Sequence, residues 1–489
     1  MFDLLSVFFA FILLGLLLLV ARFIKYHVQL LQTLYLPESI IAGAIALLLG
    51  PAVLGAITTA FGAAPDSYLA GGVFPEAIRT VWSQSPGVFI NVVFAALFLG
   101  EHIPNPRDIW RKASPQVAFG QTIAWGQYVI GLLLVLLVLT PLFGLDPIAG
   151  ALIEIGFEGG HGTAAGMAET FTTLDYPEGG DLAVGLATVG IVTGVIAGTA
   201  LADWGRRQGY IQSEPVEVRD GDAQFQETAP TEGARVREKR SSLMRNLLID
   251  PLSLNFGFTG LAIGIGWLIL EGLTLLESLT WGRGGIELLG AVPLFPIALV
   301  GGIIVQVVMT RLGLDALIVR RLQERIAGVA LDIVVITAIA TISLTVIGAN
   351  LGAFIILAVA GIIWNIGAFL FIAPRMLPVY WFERGIGDMG QSMGVTATGI
   401  LLIRMVDPEN RTGAFESFAY KQLFFEPIVG GGLFTAAAPP LIRQFGAVAV
   451  LLLTAGLLAF WLIFGFWNYR VIKAKLDSES AQTRQEVEV

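Results

Sequence analysis

Apolar runs of about 20 residues, each enough for a helix to cross roughly 30 Å of hydrocarbon, recur along nearly the whole chain, separated by short polar stretches. The pattern predicts spans near 4–24, 38–57, 86–101, 117–140 and 182–202 in the first half. In the second half it predicts them near 254–274, 288–310, 328–348, 350–372, 415–438 and 445–468. No stretch of ordinary soluble-domain size is left between them. The exception to the pattern is 206–246, polar, charged with both signs and without apolar periodicity, which reads as a disordered linker between two halves.

Composition agrees: of 489 residues 55% are hydrophobic and 14% charged, against about a quarter charged in soluble domains. The absence of cysteine rules out disulfides, thiolate metal sites and cysteine nucleophiles. Three histidines, at 27, 102 and 161, are too few for a multi-histidine metal centre. The net charge of -9 sits mostly in loops and tails and argues against a nucleic-acid partner. The N-terminal apolar run lacks a basic start and a small-residue cleavage site, so it reads as a first span and not a signal peptide.

Arg206, Arg207, Arg235, Arg237, Lys239, Arg240 and Arg245 flank the spans on either side of the linker, which places it in the cytoplasm. Counting outward puts Arg107, Arg111, Lys112, Arg311, Arg320, Arg321 and Arg325 inside, and Asp66, Glu76, Glu277, Glu287 and the N-terminus outside. This agreement requires 147–174 and 378–404 each to enter and leave on one face. Each has a glycine-rich break between arms of about a dozen residues, which reach only about 18 Å. They therefore read as re-entrant hairpins, whose unwound backbone is tolerated only where protein buries it or a watery cavity receives it.

Each half then has five crossings and one hairpin, and an odd number of crossings inverts the second half. The expected fold is an all-α polytopic membrane protein with inverted repeats at 1–205 and 247–440, an extra transmembrane helix at 441–470 and a cytoplasmic tail at 471–489. "GTAAGM" at 162–167 echoes "VTATGI" at 395–400, with Thr163 over Thr396, and Pro37 is set against Pro296. Opposed hairpins point to a secondary transporter with its site between the repeats.

Chemistry concentrates at the two breaks. Asp146-Pro147 suits a helix start. Glu154 and Glu158, four apart, share a helical face at a depth where an ionisable group suggests an ion or substrate path. Gly159, Gly160 and Gly162 either let a ligand approach the backbone or let helices pack tightly. Thr163 is placed to cap the returning arm, whose N-terminus would attract an anion. His161 either donates to a carboxylate, shuttles a proton or caps a turn.

In the second hairpin Gly394, Thr396 and Thr398 are candidate substrate contacts, and Asp388, Gln391 and Ser392 offer oxygens for a coupling cation, with Asp388 and Ser392 as sodium ligands. The threonines alternatively bond back to their own helix. Arg404 either attracts an anion or snorkels to the interface, and Asn350 and Asn365 read as helix glue. "GIGD" at 385–388 fits the GxGD pattern of intramembrane aspartyl proteases, but the second aspartate would have to be Asp332, which lacks the Tyr-Asp context.

"YLPESIIAG" at 35–43, "GLDPIAGAL" at 144–152, "GGHGTAAGM" at 159–167 and "GVTATG" at 394–399 occur in the order found in the bacterial sodium/glutamate symporter family, which the chain resembles from about residue 5 to 438. The resemblance implies a sodium-coupled symporter of glutamate or a related anion with ten core spans. It also implies a homodimer in the bacterial plasma membrane, and alternating access in which a hairpin-bearing domain moves against a scaffold. It implies no cofactor beyond the coupling ion, sodium or alternatively a proton. Two positions depart from the family: the residue before "GGHG" is usually small but here is Glu158, and the position of Asp388 is usually not acidic. The linker and the last span look like additions.

Overall fold

In hydrocarbon every backbone N–H and C=O must be paired within its own segment, which leaves helices as the solution for isolated apolar runs. The computed structural model describes residues 3–64, 67, 70–101, 106–211 and 250–487, and among them every regular element is helical. The main helices of the first half are α1 (Leu4–His27), α2 (Glu38–Leu48, resuming at Pro51 and ending at Ala60), α3 (Glu76–Ala96), α4 (Pro106–Leu134, continued to Phe143) and α5 (Glu178–Arg207). The second half has α6 (Pro251–Leu279), α7 (Phe295–Arg311), α8 (Arg320–Thr341), α9 (Leu351–Gly367, continued to Met376), α10 (Trp381–Met393), α11 (Thr396–Val406), α12 (Ala414–Phe425), α13 (Leu433–Phe445) and α14 (Ala447–Val487). Seven stretches of the described residues, on α1, α2, α4, α5, α6, α9 and α14, are long and apolar enough to cross a membrane. The architecture is that of an all-α, multi-pass membrane protein.

Several expected boundaries move. The third span starts at Glu76, not near 86, because Pro75 opens the helix and a first turn with Glu76 follows it. Its mixed face is held by Trp82, which is buried and donates to the Ala10 carbonyl at 3.1 Å. The span expected at 415–438 is broken: α12 ends at Phe425, α13 begins at Leu433, and Gly430 and Gly431 between them have φ of +72° and +102°. The last helix does not stop at 470 but runs on to Val487. Arg206 and Arg207 close α5, whereas 212–246 of the expected linker, Asp66 and His102 lie outside the described residues.

The segment 147–174 doubles back. One guanidinium, that of Arg443, meets the Asp146 carboxylate at 2.9 Å and also donates to the Leu174 carbonyl, so the two ends of the segment lie side by side. The turn is at Gly160, where φ is +65°, a left-handed conformation that costs glycine little. The second hairpin is α10 against α11: a Cβ at Gly399 would fall 2.5 Å from the Gly387 carbonyl oxygen, which is how closely the two arms pack.

α5 sets the relation between the hairpins. Its 30 residues make it about 45 Å long. The first hairpin's base, at Leu174, lies just before the N-terminal end of α5; at the other end Arg206 donates to the Met405 carbonyl and Tyr210 lies 5.1 Å from the Trp381 ring, which puts the second base there. The tips meet between these ends, where a Cβ at Gly160 would fall 2.7 Å from Val395 Cγ1 and 3.0 Å from the Gly394 oxygen.

Arg443→Ala tests the first clasp. The pair is part-exposed, with side-chain exposures of 40% and 21%, so its loss is expected to cost no more than about 1 kcal/mol. Amide exchange followed by mass spectrometry is expected to quicken in 146–151 and 170–176 and to stay unchanged in 381–393.

Candidate functional site

Both carboxylates of the first hairpin's descending arm are buried, yet their surroundings differ. Glu154 is fully partnered: Oε2 accepts from the Tyr128 hydroxyl at 2.6 Å, and Oε1 accepts from the Gly430 amide and the Thr435 hydroxyl, each at 2.8 Å. It thereby ties α4 to the break between α12 and α13. Glu158, 3% exposed, has no hydrogen-bond partner on either oxygen among the described residues. The Ser392 hydroxyl of the other hairpin faces it without closing a hydrogen bond and is itself buried and unpartnered. A Cβ at Gly430 would lie 3.6 Å from Glu158 Cγ, so the same break lines this carboxylate.

Around the turn, His161 is fastened to α5 through a 2.9 Å contact between Nε2 and the Thr188 hydroxyl, a structural role on this geometry. Gly162 packs toward Ile90 of α3, where a Cβ would meet Cδ1 at 3.0 Å, and so does not face the opposite tip. Thr163 does not cap the returning arm. The helix restarts at Gly160 without a side-chain cap, because the wide turn over Glu154–Glu158 hands over to it directly. The Thr163 hydroxyl is instead buried and unpartnered beside Gly431.

In the second hairpin, Asp388 and Ser392 take different partners. Asp388 Oδ1 lies 3.1 Å from Lys421 Nζ, and Oδ2 accepts from the Gln116 amide at 2.6 Å. Gln391 accepts from Lys421 at 2.7 Å. Gln127 donates to the Ser392 carbonyl at 2.8 Å and to the Asn365 side chain at 3.0 Å. Asn365 thus joins helices, as glue does. Thr396 donates to Glu426 at 3.1 Å and accepts from Gln422 at 3.0 Å. Thr398 is buried close to Gly394, where a Cβ would fall 2.7 Å from its hydroxyl. Asp332 sits beside Ser39 and Glu38 on α2, and both oxygens of Asp388 are taken by other groups.

The residues that sequence reasoning missed are Lys421, Glu426, Gln422, Tyr128, Thr435 and the α4 glutamines 116 and 127. A signal existed in "YKQLFFEPIVGGG", 420–432, where a lysine and a glutamate precede three glycines inside a run taken as one span. The cluster holds the carboxyls of Glu154, Glu158, Asp388 and Glu426 with Lys421 as its ammonium; burial disfavours ionising all four together, so each must be neutral or matched by a cation. Among the described residues no three His, Cys, Asp or Glu side chains converge as a metal centre. What the tips offer is single carboxylates with hydroxyls, which is hard-cation chemistry of low charge.

Gly190 on α5 tests whether the tips need this packing. Its Cβ position lies 2.3 Å from the Met393 carbonyl, a backbone atom that has nowhere to go. Gly190→Val is expected to lower stability by about 3 kcal/mol, measured by thermal unfolding in detergent. Gly15, with open space around it, is the control for the same substitution.

No family model matches the chain, and no curated protein matches it either. Function is therefore argued from the site.

Proposed function

We propose that the protein is a secondary active transporter that couples a cation, sodium in the first instance, to the movement of glutamate or a related amino-acid or dicarboxylate anion. The observation that carries this reading is Glu158, a buried carboxylate with two unpartnered oxygens between two opposed hairpin tips. An ionised carboxylate in that position is costly by several kcal/mol, and a cation from solution relieves the cost. Glu158 and the Ser392 hydroxyl form the ion site. Occupancy reduces the negative charge and lets an anionic substrate approach the tips. Hairpins based at opposite ends of α5 suit alternating access, since moving one against its surroundings exposes the tips to one side at a time.

Glu154 and Asp388 each lie six residues ahead of a break glycine, Gly160 and Gly394, and α4 bonds both, through Tyr128 and Gln116, so this one helix holds the two hairpins together. The reading places the chain as a homodimer in a bacterial plasma membrane, with the N-terminus outside and the C-terminus in the cytoplasm. Proton coupling at the same carboxyl is the second reading, favoured by the sparse ligand set around Glu158, since a proton needs no further ligands.

Uptake of labelled glutamate and dicarboxylates into proteoliposomes tests both. A sodium gradient alone driving accumulation establishes the first reading, and a proton gradient alone the second. Absence of uptake of any amino acid or dicarboxylate under either gradient overturns the transporter reading.

A further inference from the structure

Lys421 is the least expected side chain of the site. It stands on α12, outside both hairpins, and is fully buried. Burying an ammonium at this depth is costly unless its charge and donors are matched, and here they are. Nζ lies 3.1 Å from Asp388 Oδ1 and 2.7 Å from the Gln391 side-chain oxygen, and 3.9 Å from the centre of the Phe425 ring. Phe418 gives a second ring face at 5.0 Å. Gly120 of α4 leaves room for the stem, since a Cβ there would meet Lys421 Cδ at 3.0 Å and Nζ at 3.2 Å.

A carboxylate oxygen, an amide oxygen and aromatic faces around a single positive centre form the environment a bound monovalent cation would take. The contrast with the first tip is direct: among the described residues neither Glu158 oxygen has a hydrogen-bond partner and Lys421 acts on it only through space, whereas Asp388 has both oxygens occupied, one of them by Lys421 itself. Both positions carry a carboxylate, and one of them has its cation built in.

We propose that the Lys421 ammonium is a tethered cation that permanently fills a second ion site on the second hairpin, leaving the Glu158 tip as the site for a mobile ion. The inference rests on the transporter reading for what the ion does, but not for the occupancy of Asp388. Three consequences follow. The Asp388–Lys421 pair stays neutral and keeps the second hairpin assembled against α4 and α12 whatever the ion concentration. The number of coupled ions is lower by one than the two carboxylate positions allow. Removing the ammonium while keeping Asp388 opens a site that sodium from solution can enter.

The test is sodium binding to the purified full chain in detergent, measured with radioactive sodium at equilibrium and without any organic substrate. Lys421→Ala, purified in sodium chloride, is expected to bind one more sodium ion per chain than the parent. It is also expected to lose thermal stability when sodium is exchanged for choline. Lys421→Ala combined with Asp388→Asn is expected to return to the parent's sodium count and to be insensitive to the exchange. Lys421→Arg keeps the charge and is expected to gain no site. An unchanged sodium count in folded Lys421→Ala overturns the inference.

Should Lys421→Ala not fold, Lys421→Gln retains a donor to Gln391 and serves in its place. If neither folds in sodium while the double variant does, sodium does not replace the ammonium and the inference is again overturned. A parent that binds no sodium, together with a Lys421→Ala variant that binds one, removes the sodium form of the functional reading while supporting the tethered cation.

Discussion

Glu158→Gln is expected to abolish ion-driven uptake while leaving the protein as well folded as before. Both carboxylate oxygens lack partners in the structure, so the amide forfeits no protein hydrogen bond. What it forfeits is the charge that holds the coupling ion. Breaking a buried ionic pairing costs on the order of 3–5 kcal/mol, which at 1.4 kcal/mol per decade is a loss of about 100-fold or more in ion affinity. Two measurements check this: gradient-driven uptake in proteoliposomes, and the rise in unfolding temperature on adding sodium. The parent is expected to be stabilised by sodium and the variant to be indifferent to it. In sodium-free buffer the variant is expected to be at least as stable as the parent, because an unpaired buried carboxylate has been removed. A variant that keeps the parent's sodium response shows that Glu158 does not hold the ion.

Glu154→Ala, one helical turn away, is expected to do the opposite. Its two oxygens accept from the Tyr128 hydroxyl, the Thr435 hydroxyl and the Gly430 amide, all in the protein interior. Truncation leaves these donors without an acceptor, each at about 1–3 kcal/mol before relaxation, and releases the glycine break between α12 and α13 from α4. We expect a loss of about 3–5 kcal/mol in stability, read from unfolding in detergent at saturating sodium. Glu154→Gln, which retains one acceptor oxygen, is expected to lose less. Stability equal to the parent's in Glu154→Ala would mean that water replaces the carboxylate and that the break is held by other contacts.

That pair shows how far local pattern reaches. Spacing put Glu154 and Glu158 on one face of one arm, and the structure keeps them there. Which of the two is satisfied depends on Tyr128, Thr435 and Gly430, residues that approach from 26, 281 and 276 positions away. Nothing within the arm carries that information. His161 is similar: three roles were open, and its contact in the structure is with none of those partners but with the Thr188 hydroxyl across the interface with α5.

The hairpins were legible for a simpler reason. An arm of a dozen residues is too short to cross hydrocarbon, and positive charges on one side leave the count of crossings little freedom. The structure's clasp of Asp146 and Leu174 by Arg443, and the packing of Gly399 on Gly387, are the tertiary forms of that argument. The break between α12 and α13 went unseen because apolar content was weighed over 20 residues, and "FF", "IV" and "LF" outweighed Lys421, Glu426 and the three glycines in the same window.

What the sequence determined by itself is the helical, multi-pass character of the chain, its two glycine-rich breaks, and the carboxylates beside them. These follow from hydrophobic length, glycine and charge placement, all of which act within a few helical turns. What only the tertiary structure decided is which carboxylate meets a cation already in the chain. Lys421 reaches Asp388 from another helix and Gln116 reaches it from 272 positions away, while among the described residues no side chain closes a hydrogen bond to Glu158. Charge satisfaction in a low-dielectric interior is settled over a few ångströms in space, and distance along the chain does not encode it.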